Sequence, residues 1–252
     1  MARIFDKLFF MGAMSLGDSF VYSGIVHHYG DMCNELHVPA IPAFYDTLVS
    51  LYRDHPHIQV VNLPPELENE YISENKLSRI LRSDPLVEAP MGNVIIRPLW
   101  DMQGYEAFDL PFSLRYKNFR MPKHVPGEYA LYEKLAGGDK GAPYILVHRF
   151  TGEHPGGLPI DIPAFRNYHN LDPNVNIIEI MPNETSDMMQ YKTLLENALE
   201  IHCAPSSIFC LVDGMEVRGR LYYHAMRAST LLRVNSKWNN YKWNIINYAT
   251  KL

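Results

Sequence analysis

Short apolar segments alternate with amphipathic segments of helical length along this 252-residue chain. An apolar run closed by Gly12 predicts a buried strand over residues 4–12, and further strands are predicted over residues 38–44 and 58–63. Helices are predicted between them, over residues 18–35 and 45–53. Strands and helices that alternate with short connections build parallel sheets through right-handed crossovers. The pattern therefore predicts an α/β fold.

The alternation continues to the end of the chain, with one interruption. Residues 66–82 and 128–135 are predicted as helices, residues 93–99 as a strand, and the Pro-containing stretch 100–126 as an irregular connection. In the second half, strands are predicted over residues 144–149, 176–180 and 207–212, and helices over residues 186–202, 221–228 and 236–252. A Gly-rich turn at 137–141 predicts a domain boundary, so we expect two α/β halves, residues 1–136 and 137–252, with a cleft between them.

Composition excludes several function classes. A net charge of −5 and a pI near 6.1 argue against general electrostatic binding to nucleic acid or to an anionic membrane. Binding through a local basic patch is the alternative that stays open. Three cysteines without CxxC spacing and eleven histidines without HExxH favour neither a disulfide framework nor a metal site. No stretch approaches the ~20 apolar residues that span a bilayer, and the N-terminal apolar run is short for a signal peptide. We expect a cytoplasmic protein without a resident cofactor.

The loop from residue 11 to residue 18 is the first candidate site, because it joins the first strand to the first helix. Its glycines allow a ligand to approach the backbone closely, and the helix start supplies free N–H groups, so Gly12, Gly17 and Ser19 are candidate binding residues. The loop lacks the third glycine of GxGxxG and the Gly-Lys-Ser/Thr ending of a P-loop. Two roles stay open for Asp18: helix N-cap and general base.

Polar residues also follow apolar segments in the second half. His148 and Arg149 end the strand predicted from residue 144, and the carboxyl ends of parallel strands are where such sheets bind ligands. Arg149 either holds a diphosphate or forms an ordinary salt bridge. Ser206 and Ser207, which follow His202, either bond a phosphate or ribose or satisfy backbone groups at the start of a strand.

These residues resemble, in order and spacing, the glycosyltransferases of the GT-B type. The resemblance rests on Gly17-Asp18 after the first strand, His148-Arg149 at a strand end, and the segment over residues 200–207. It is to the heptosyltransferase-like and fucosyltransferase-like branches, including compact bacterial and phage members, and it covers most of the chain. The aromatic segment over residues 238–248 resembles the last helix of that fold, which crosses back onto the N-terminal domain.

The resemblance implies two Rossmann-like domains, the first binding an acceptor and the second a nucleotide-sugar donor, with no obligatory metal. It implies that Asp18 deprotonates the acceptor hydroxyl. The donor's phosphates and ribose would be bound by a set from the second half: His148, Arg149, His202, Ser206 and Ser207. The expected function is inverting sugar transfer from a nucleotide-activated donor to a hydroxyl acceptor.

Two alternatives to this function stay open. The sequence has no paired arginines at the end of the strand at His148-Arg149, and its second half is short, which also suits a non-catalytic carbohydrate- or nucleotide-binding protein. The resemblance equally suits another GT-B enzyme, such as a nucleotide-sugar epimerase, because one fold hosts many reactions.

Overall fold

A computed structural model describes residues 5–10, 15–80, 100–137, 142–151, 156–157, 160, 175–225 and 242–247. The chain divides into two compact units, Met1–Lys123 and His124–Leu252. Within these ranges each unit has one sheet, and all the pairings between the described strands are parallel. The α/β class with parallel sheets is thereby confirmed. The division lies one helix before the boundary expected after residue 136, because the helix Glu128–Ala136 packs against elements of the second unit.

The first unit is built on a sheet with the strand order β3-β2-β1-β4. Its strands are β1 (Phe5–Phe10), β2 (Cys33–Ala40), β3 (Ile58–Asn62) and β4 (Ser78–Ile80). Its helices are α1 (Leu16–Gly30), α2 (Tyr45–Tyr52), α3 (Glu68–Glu74), α4 (Trp100–Ala107) and α5 (Leu114–Lys117). α5 packs closely against α1, since a Cβ at Gly24 would lie 2.5 Å from the Leu114 carbonyl oxygen. Glycine is therefore required at this crossing.

Local capping explains where the first unit departs from the sequence-based expectation. α1 begins at Leu16 and ends at Gly30, so the expected helix over 18–35 starts two residues late and runs into β2. The charged helix expected over 66–82 ends at Glu74, because Lys76 adopts a left-handed conformation with φ 52° before β4. The stretch 100–126, expected to be irregular, contains α4 and α5. The strand expected over 93–99 lies outside the described residues.

The second unit is built on a sheet with the strand order β6-β5-β7-β8-β9. Its strands are β5 (Tyr144–His148), β6 (Asn176–Glu179), β7 (Glu200–Cys203), β8 (Arg220–Ala225) and β9 (Trp243–Asn247). Its helices are α6 (Glu128–Ala136), α7 (Lys192–Asn197) and α8 (Ser207–Gly214). β5 and β7 are buried at every position, as expected of central strands in a parallel sheet covered on both faces.

Several segments of the second unit have the opposite secondary structure to the one expected. The helix expected over 186–202 ends at Asn197, and its last residues form β7 after Ala198 turns to an extended conformation. Residues 207–212 belong to a helix, and the expected helix over 221–228 is strand β8 as far as Ala225. The expected crossing-back helix over 236–252 is wrong where the chain is described, since residues 243–247 form strand β9. Short segments buried on all sides lack the periodicity that distinguishes a helix from a strand.

The start of β9 is fastened to the end of α8. The Lys242 ammonium donates to three carbonyl oxygens there, those of Val212, Asp213 and Met215, at 3.1, 2.6 and 3.1 Å. The Trp243 indole N–H donates to Oδ1 of Asp213 at 2.9 Å. A cation at this position satisfies carbonyl groups that a helix leaves unpaired at its carboxyl end.

Candidate functional site

The second sheet reverses its direction of growth between β5 and β7. From β5 the chain adds β6 on one side and then returns to add β7 on the other side. In open parallel sheets, ligands bind in the crevice outside the carboxyl ends of the strands at such a point. His148 of β5 pairs with Cys203 of β7 as the last residues of the two strands, so the residues that follow them border this crevice.

Ser206 is the N-cap of helix α8 at this edge. The preceding Pro205 cannot donate to a strand ladder, and Ser206 is extended with φ −154° and ψ 175°. Its hydroxyl oxygen accepts from the Phe209 amide at 3.3 Å, and its carbonyl accepts from the Cys210 amide at 3.1 Å. Neither Ser207 nor Ile208 hydrogen-bonds through its amide to any described residue, so two N–H groups remain at the positive end of the helix.

His148 lies directly against this cap. Its Nδ1 is 3.0 Å from the Ser206 hydroxyl oxygen, and the residue is only 9% exposed. Burial lowers the pKa of His148 to about 4, so the imidazole is uncharged at neutral pH. Within the described part of the chain, Nε2 of His148 makes no hydrogen bond. The edge therefore holds a neutral imidazole beside the amino end of a helix.

Arg149 forms an ion pair with Glu179, the last residue of β6. Arg149 Nε lies 2.6 Å from Oε1 of Glu179, and Nη2 donates to Oε2 at 3.3 Å. The side chains are 30% and 32% exposed, so solvent reaches the pair. The stem of Arg149 packs on Gly157, where a Cβ would lie 2.8 Å from Cδ of Arg149, so glycine leaves room for it. The ordinary salt bridge left open from the sequence is thus present in this state of the protein.

His202 lies inside the sheet rather than at its edge. It is fully buried, with Nε2 3.2 Å from Oε2 of Glu200 and Nδ1 3.0 Å from Nε2 of His224. Its ring stacks on that of Tyr222 with 4.6 Å between the ring centroids. The structure brings His148, Arg149, Ser206 and Ser207 to one edge but gives His202 other partners.

The equivalent point of the first sheet lies between β1 and β4, beside the start of α1. Ser15, not Asp18, is the N-cap of α1, and its hydroxyl accepts from the Asp18 amide at 3.3 Å. The hydroxyl of Ser19 donates to the Ser15 carbonyl at 3.2 Å, so it is used within its own helix. Gly17 is the second residue of α1 and is half-buried, whereas Gly12 lies outside the described residues.

Asp18 is therefore not the N-cap of α1, which was one of the two roles that the sequence left open for it. Its side chain is half-buried in the first turn of α1, where the positive end of the helix favours a carboxylate. The carboxylate makes no hydrogen bond or ion pair with the residues that the structure describes. Its oxygens are thus available to another partner.

Three polar residues of the second unit were not predicted: Glu179, Glu200 and His224. A signal existed for Glu200, because polar and apolar residues alternate over 200–203, which is typical of a strand. The segment 221–224 has no such alternation, so the sequence held no comparable signal for His224. Ser206 carried a signal for the start of α8, because serine is a preferred N-cap residue and its hydroxyl accepts from the amide three residues later.

Among the described residues, no three His, Cys, Asp or Glu side chains are grouped so as to hold a metal ion. No helix in those same ranges is both long and apolar enough to cross a membrane. The chain matches no protein-family model, no curated protein and no solved structure.

Proposed function

We propose that this protein transfers a sugar from a nucleotide-activated donor to a hydroxyl acceptor, by an inverting and metal-independent reaction. One observation carries the proposal: the neutral His148 hydrogen-bonded to Ser206, the N-cap of α8, at the point where the second sheet reverses direction. The donor's diphosphate would bind at this edge.

The start of α8 suits an anion in both its hydrogen bonding and its charge. Its first turn contains no acidic residue, and the amides of Ser207 and Ile208 have no partner among the described residues. Donors that are already oriented stabilise charge as it develops on a leaving diphosphate, without having to reorganise. The helix would therefore favour the departing group as well as the bound donor.

His148 adds a neutral donor to this edge. In this proposal the Ser206 hydroxyl accepts from the Phe209 N–H and donates its own O–H in a hydrogen bond to Nδ1 of His148. The proton of the neutral imidazole is then on Nε2, which donates to a phosphate or ribose oxygen. Arg149 joins the diphosphate by exchanging one carboxylate oxygen of Glu179 for a phosphate oxygen.

Asp18 is the base in this proposal. Inversion needs a group that removes the proton of the acceptor hydroxyl while the diphosphate departs from the opposite face of the sugar. The support for Asp18 is a half-buried carboxylate whose oxygens have no partner among the described residues.

Binding is tested by isothermal titration of the protein with uridine, guanosine, adenosine and cytidine diphosphates. We expect at least one to bind at millimolar concentration or below, and His148→Ala to weaken it about tenfold through the loss of one hydrogen bond. The absence of binding by all four at millimolar concentration would contradict the proposal.

Turnover is tested with nucleotide-sugars carrying the base that binds. Asp18→Asn should keep nucleotide binding and reduce transfer about a hundredfold or more, as expected for loss of a general base. Asp46→Asn is the matched control, since Asp46 also lies in the first turn of a helix but is exposed on α2. Equal loss in both variants, or no loss in Asp18→Asn, would remove Asp18 from the role of base.

A non-catalytic nucleotide- or carbohydrate-binding protein is the second candidate, favoured by one observation. The guanidinium of Arg149 is already paired with Glu179, so the edge offers no unpaired cation from that residue. Hydrolysis of the donor by purified protein, measured against Asp18→Ala, separates the two candidates. Binding with no hydrolysis and no transfer above the variant's rate would favour the second.

A further inference from the structure

Four polar side chains meet on one face of the first sheet, apart from the residues used for sugar transfer. They are Lys7 of β1, Glu35 and His37 of β2, and Tyr71 of α3. His37 is 3% exposed, and a polar side chain is costly to bury unless it finds partners. Glu35 and His37 lie two residues apart on one strand, so their side chains share a face of the sheet.

His37 is hydrogen-bonded through both of its ring nitrogens. Nε2 lies 2.7 Å from Oε1 of Glu35, and Nδ1 lies 2.8 Å from the hydroxyl oxygen of Tyr71. Oε2 of Glu35 is 3.0 Å from the ammonium of Lys7, so both carboxylate oxygens have a partner. A hydroxyl within reach of an imidazole that a third group orients is the arrangement that activates a nucleophile.

Donors and acceptors give this arrangement one direction when His37 is in its neutral form. The Glu35 carboxylate only accepts, so Nε2 of His37 donates to it. Nδ1 is then an acceptor, and the O–H of Tyr71 donates to it. The proton that a nucleophilic Tyr71 must lose therefore already points at a base. Glu35 is a positioning residue, because it holds the ring of His37 through Nε2.

Tyr71 combines a polar hydroxyl with apolar surroundings. Burial, followed by the Glu35 carboxylate, raises the pKa of Tyr71, so the phenol keeps its proton at neutral pH and needs a base to lose it. Tyr71, Val61 and Ile72 are each half-buried and pack against the same buried cluster around Phe9. An apolar group that reaches Tyr71 would therefore meet apolar side chains that are still partly accessible.

A side-chain amide lies next to His37 on β3. Gln59 is the in-register partner of His37, so both side chains project from the same face of strands about 4.8 Å apart. Gln59 is exposed and makes no hydrogen bond with the residues that the structure describes. A side-chain amide can donate to the oxygen that becomes negative when a carbonyl group is attacked.

The charge around Tyr71 disfavours an anionic substrate. α3 contains three glutamates and no basic residue, and the Lys7 ammonium is paired with Glu35. Coulomb repulsion therefore opposes the approach of a phosphoryl or nucleotide donor to this face. A neutral ester with an apolar acyl group meets no such repulsion.

We propose that Tyr71 is a nucleophile that takes an acyl group from a neutral aryl ester or thioester, with His37 as the base and Gln59 as the oxyanion donor. The donor must be an activated ester, because its leaving group has to be about as acidic as the tyrosine phenol. A phenol has a pKa of about 10 and a thiol a pKa of about 8.5, so both meet this condition. This activity is separate from sugar transfer and uses the first unit alone.

The reaction consists of two balanced steps. In the first, Nδ1 of His37 takes the Tyr71 proton, and the phenol oxygen bonds to the acyl carbon. The bond from that carbon to the leaving oxygen or sulfur breaks, and the leaving group receives the proton from Nδ1. In the second, water gives a proton to Nδ1 and attacks the acyl carbon, and the Tyr71 oxygen leaves with that proton. The sum is hydrolysis of the ester to an acid and a phenol or thiol.

Acyl transfer is measured with 4-nitrophenyl butyrate at pH 7.5, by nitrophenolate release and by peptide mass spectrometry after an acid quench. We expect butyryl on Tyr71, and no release above the spontaneous rate from Tyr71→Phe, which removes only the hydroxyl. Tyr129→Phe is the matched control, because Tyr129 is 60% exposed and its ring stacks on His124 at 6.1 Å between centroids. It should leave the rate unchanged.

Three variants separate the roles of the other residues. His37→Gln should lower the rate about a hundredfold or more, as expected for loss of a general base. Gln59→Ala and Glu35→Gln should each lower it about tenfold, the value of one hydrogen bond. Glu35→Asp should recover part of the loss, since it keeps the carboxylate.

The pH profile gives a readout that a structural role would not move. Between pH 7 and pH 9 the wild-type rate should level off, because His37 takes the proton, whereas in His37→Gln it should rise about tenfold per pH unit with the phenolate fraction. The charged groups beside His37 stay constant over this range. The hydrogen bond between Lys7 and Glu35 raises the pKa of Lys7 and lowers that of Glu35, and Gln59 carries no charge.

Two results would overturn the proposal. One is butyryl no more abundant on Tyr71 than on Tyr129, or an unchanged rate in Tyr71→Phe. The other comes from nitrogen-15 NMR of the free wild-type protein, which does not depend on whether any variant folds. A proton on Nδ1 of His37 at pH 8 would show that His37 donates to Tyr71 and cannot be its base. Neither result bears on the binding of nucleoside diphosphates by the second unit.

Discussion

Each unit contains a serine-capped junction where its sheet reverses direction, and the two junctions differ in charge. Ser15 precedes α1 and Ser206 precedes α8, both extended, and each hydroxyl accepts from the amide three residues later at 3.3 Å. That third residue is Asp18 in the first unit and the buried Phe209 in the second. The first junction thus has a carboxylate in the first turn of its helix, and the second has none.

Two buried histidines, one in each unit, also differ in their partners. His148 is hydrogen-bonded to the cap Ser206, whereas both ring nitrogens of His27, on α1, are buried without a hydrogen-bond partner in the described structure. The ring of His27 packs on His55 and Tyr52, with centroids 4.5 and 5.3 Å away. A histidine without a partner contributes packing alone, so we expect it to matter for stability and not for binding.

The largest predicted effect is a loss of stability on acidification, caused by His27. Burial, followed by the neighbouring His55, lowers the pKa of His27 from 6.5 to about 3, so the unfolded chain binds a proton that the folded chain excludes. The free energy of unfolding is then unaffected by His27 above pH 6.5 and falls by about 3 kcal/mol between pH 6.5 and pH 4. Urea denaturation of wild type and His27→Leu at pH 7 and pH 4 measures this loss, which the variant should not show. Identical losses in the two proteins would assign the acid sensitivity elsewhere.

A carboxylate introduced at the second junction should abolish its difference from the first. Ser207→Asp places an acid at the first position of α8, which should repel a diphosphate and weaken its binding about a hundredfold. The same change should stabilise the helix slightly, by about 0.5 kcal/mol. Titration calorimetry and urea denaturation measure the two effects, and Ser207→Asn is the uncharged control. Equal affinities for Ser207→Asp and Ser207→Asn would show that this helix end does not meet the anion.

Removing the two caps should have the smallest effect and sharpens the comparison. Ser15→Ala should lower the free energy of unfolding by about 1 kcal/mol, the value of an N-cap. Ser206→Ala should cost about 1 kcal/mol more, because it also removes the hydrogen bond to the buried His148. Denaturant unfolding of both variants measures the difference. Equal costs would mean that the bond to His148 contributes nothing net to stability.

The sequence predicted the elements whose ends carry strong local signals. β1, α2 and β3 lie close to their expected bounds, because glycine, proline or amphipathic periodicity delimits each one. β5 and β6 were likewise expected within a residue of their observed ends. His148, the last residue of β5, and Arg149, which follows it, were therefore correctly placed at the carboxyl end of a parallel strand.

Prediction failed where burial on all sides removed the periodicity. α8 was expected to be a strand because its apolar run is short and continuous, although Ser206 supplied an N-cap. β7 and β8 were expected to be helical, so Glu200, His202 and His224 could not be placed on a common face. The pairing of His148 with Ser206 depends on residues 58 positions apart in the chain, which no local pattern encodes.

The fastening of β9 to α8 has a consequence for the cooperativity of the second unit. Lys242 and Trp243 join the last strand of the sheet to the carboxyl end of the helix whose amino end carries Ser206. Opening of β9 would release a carbonyl-bound cation and loosen α8 along its length. We therefore expect the amides of β9 and those at the start of α8 to exchange with solvent through one shared opening event, so that a change which destabilises one of these elements also speeds exchange in the other.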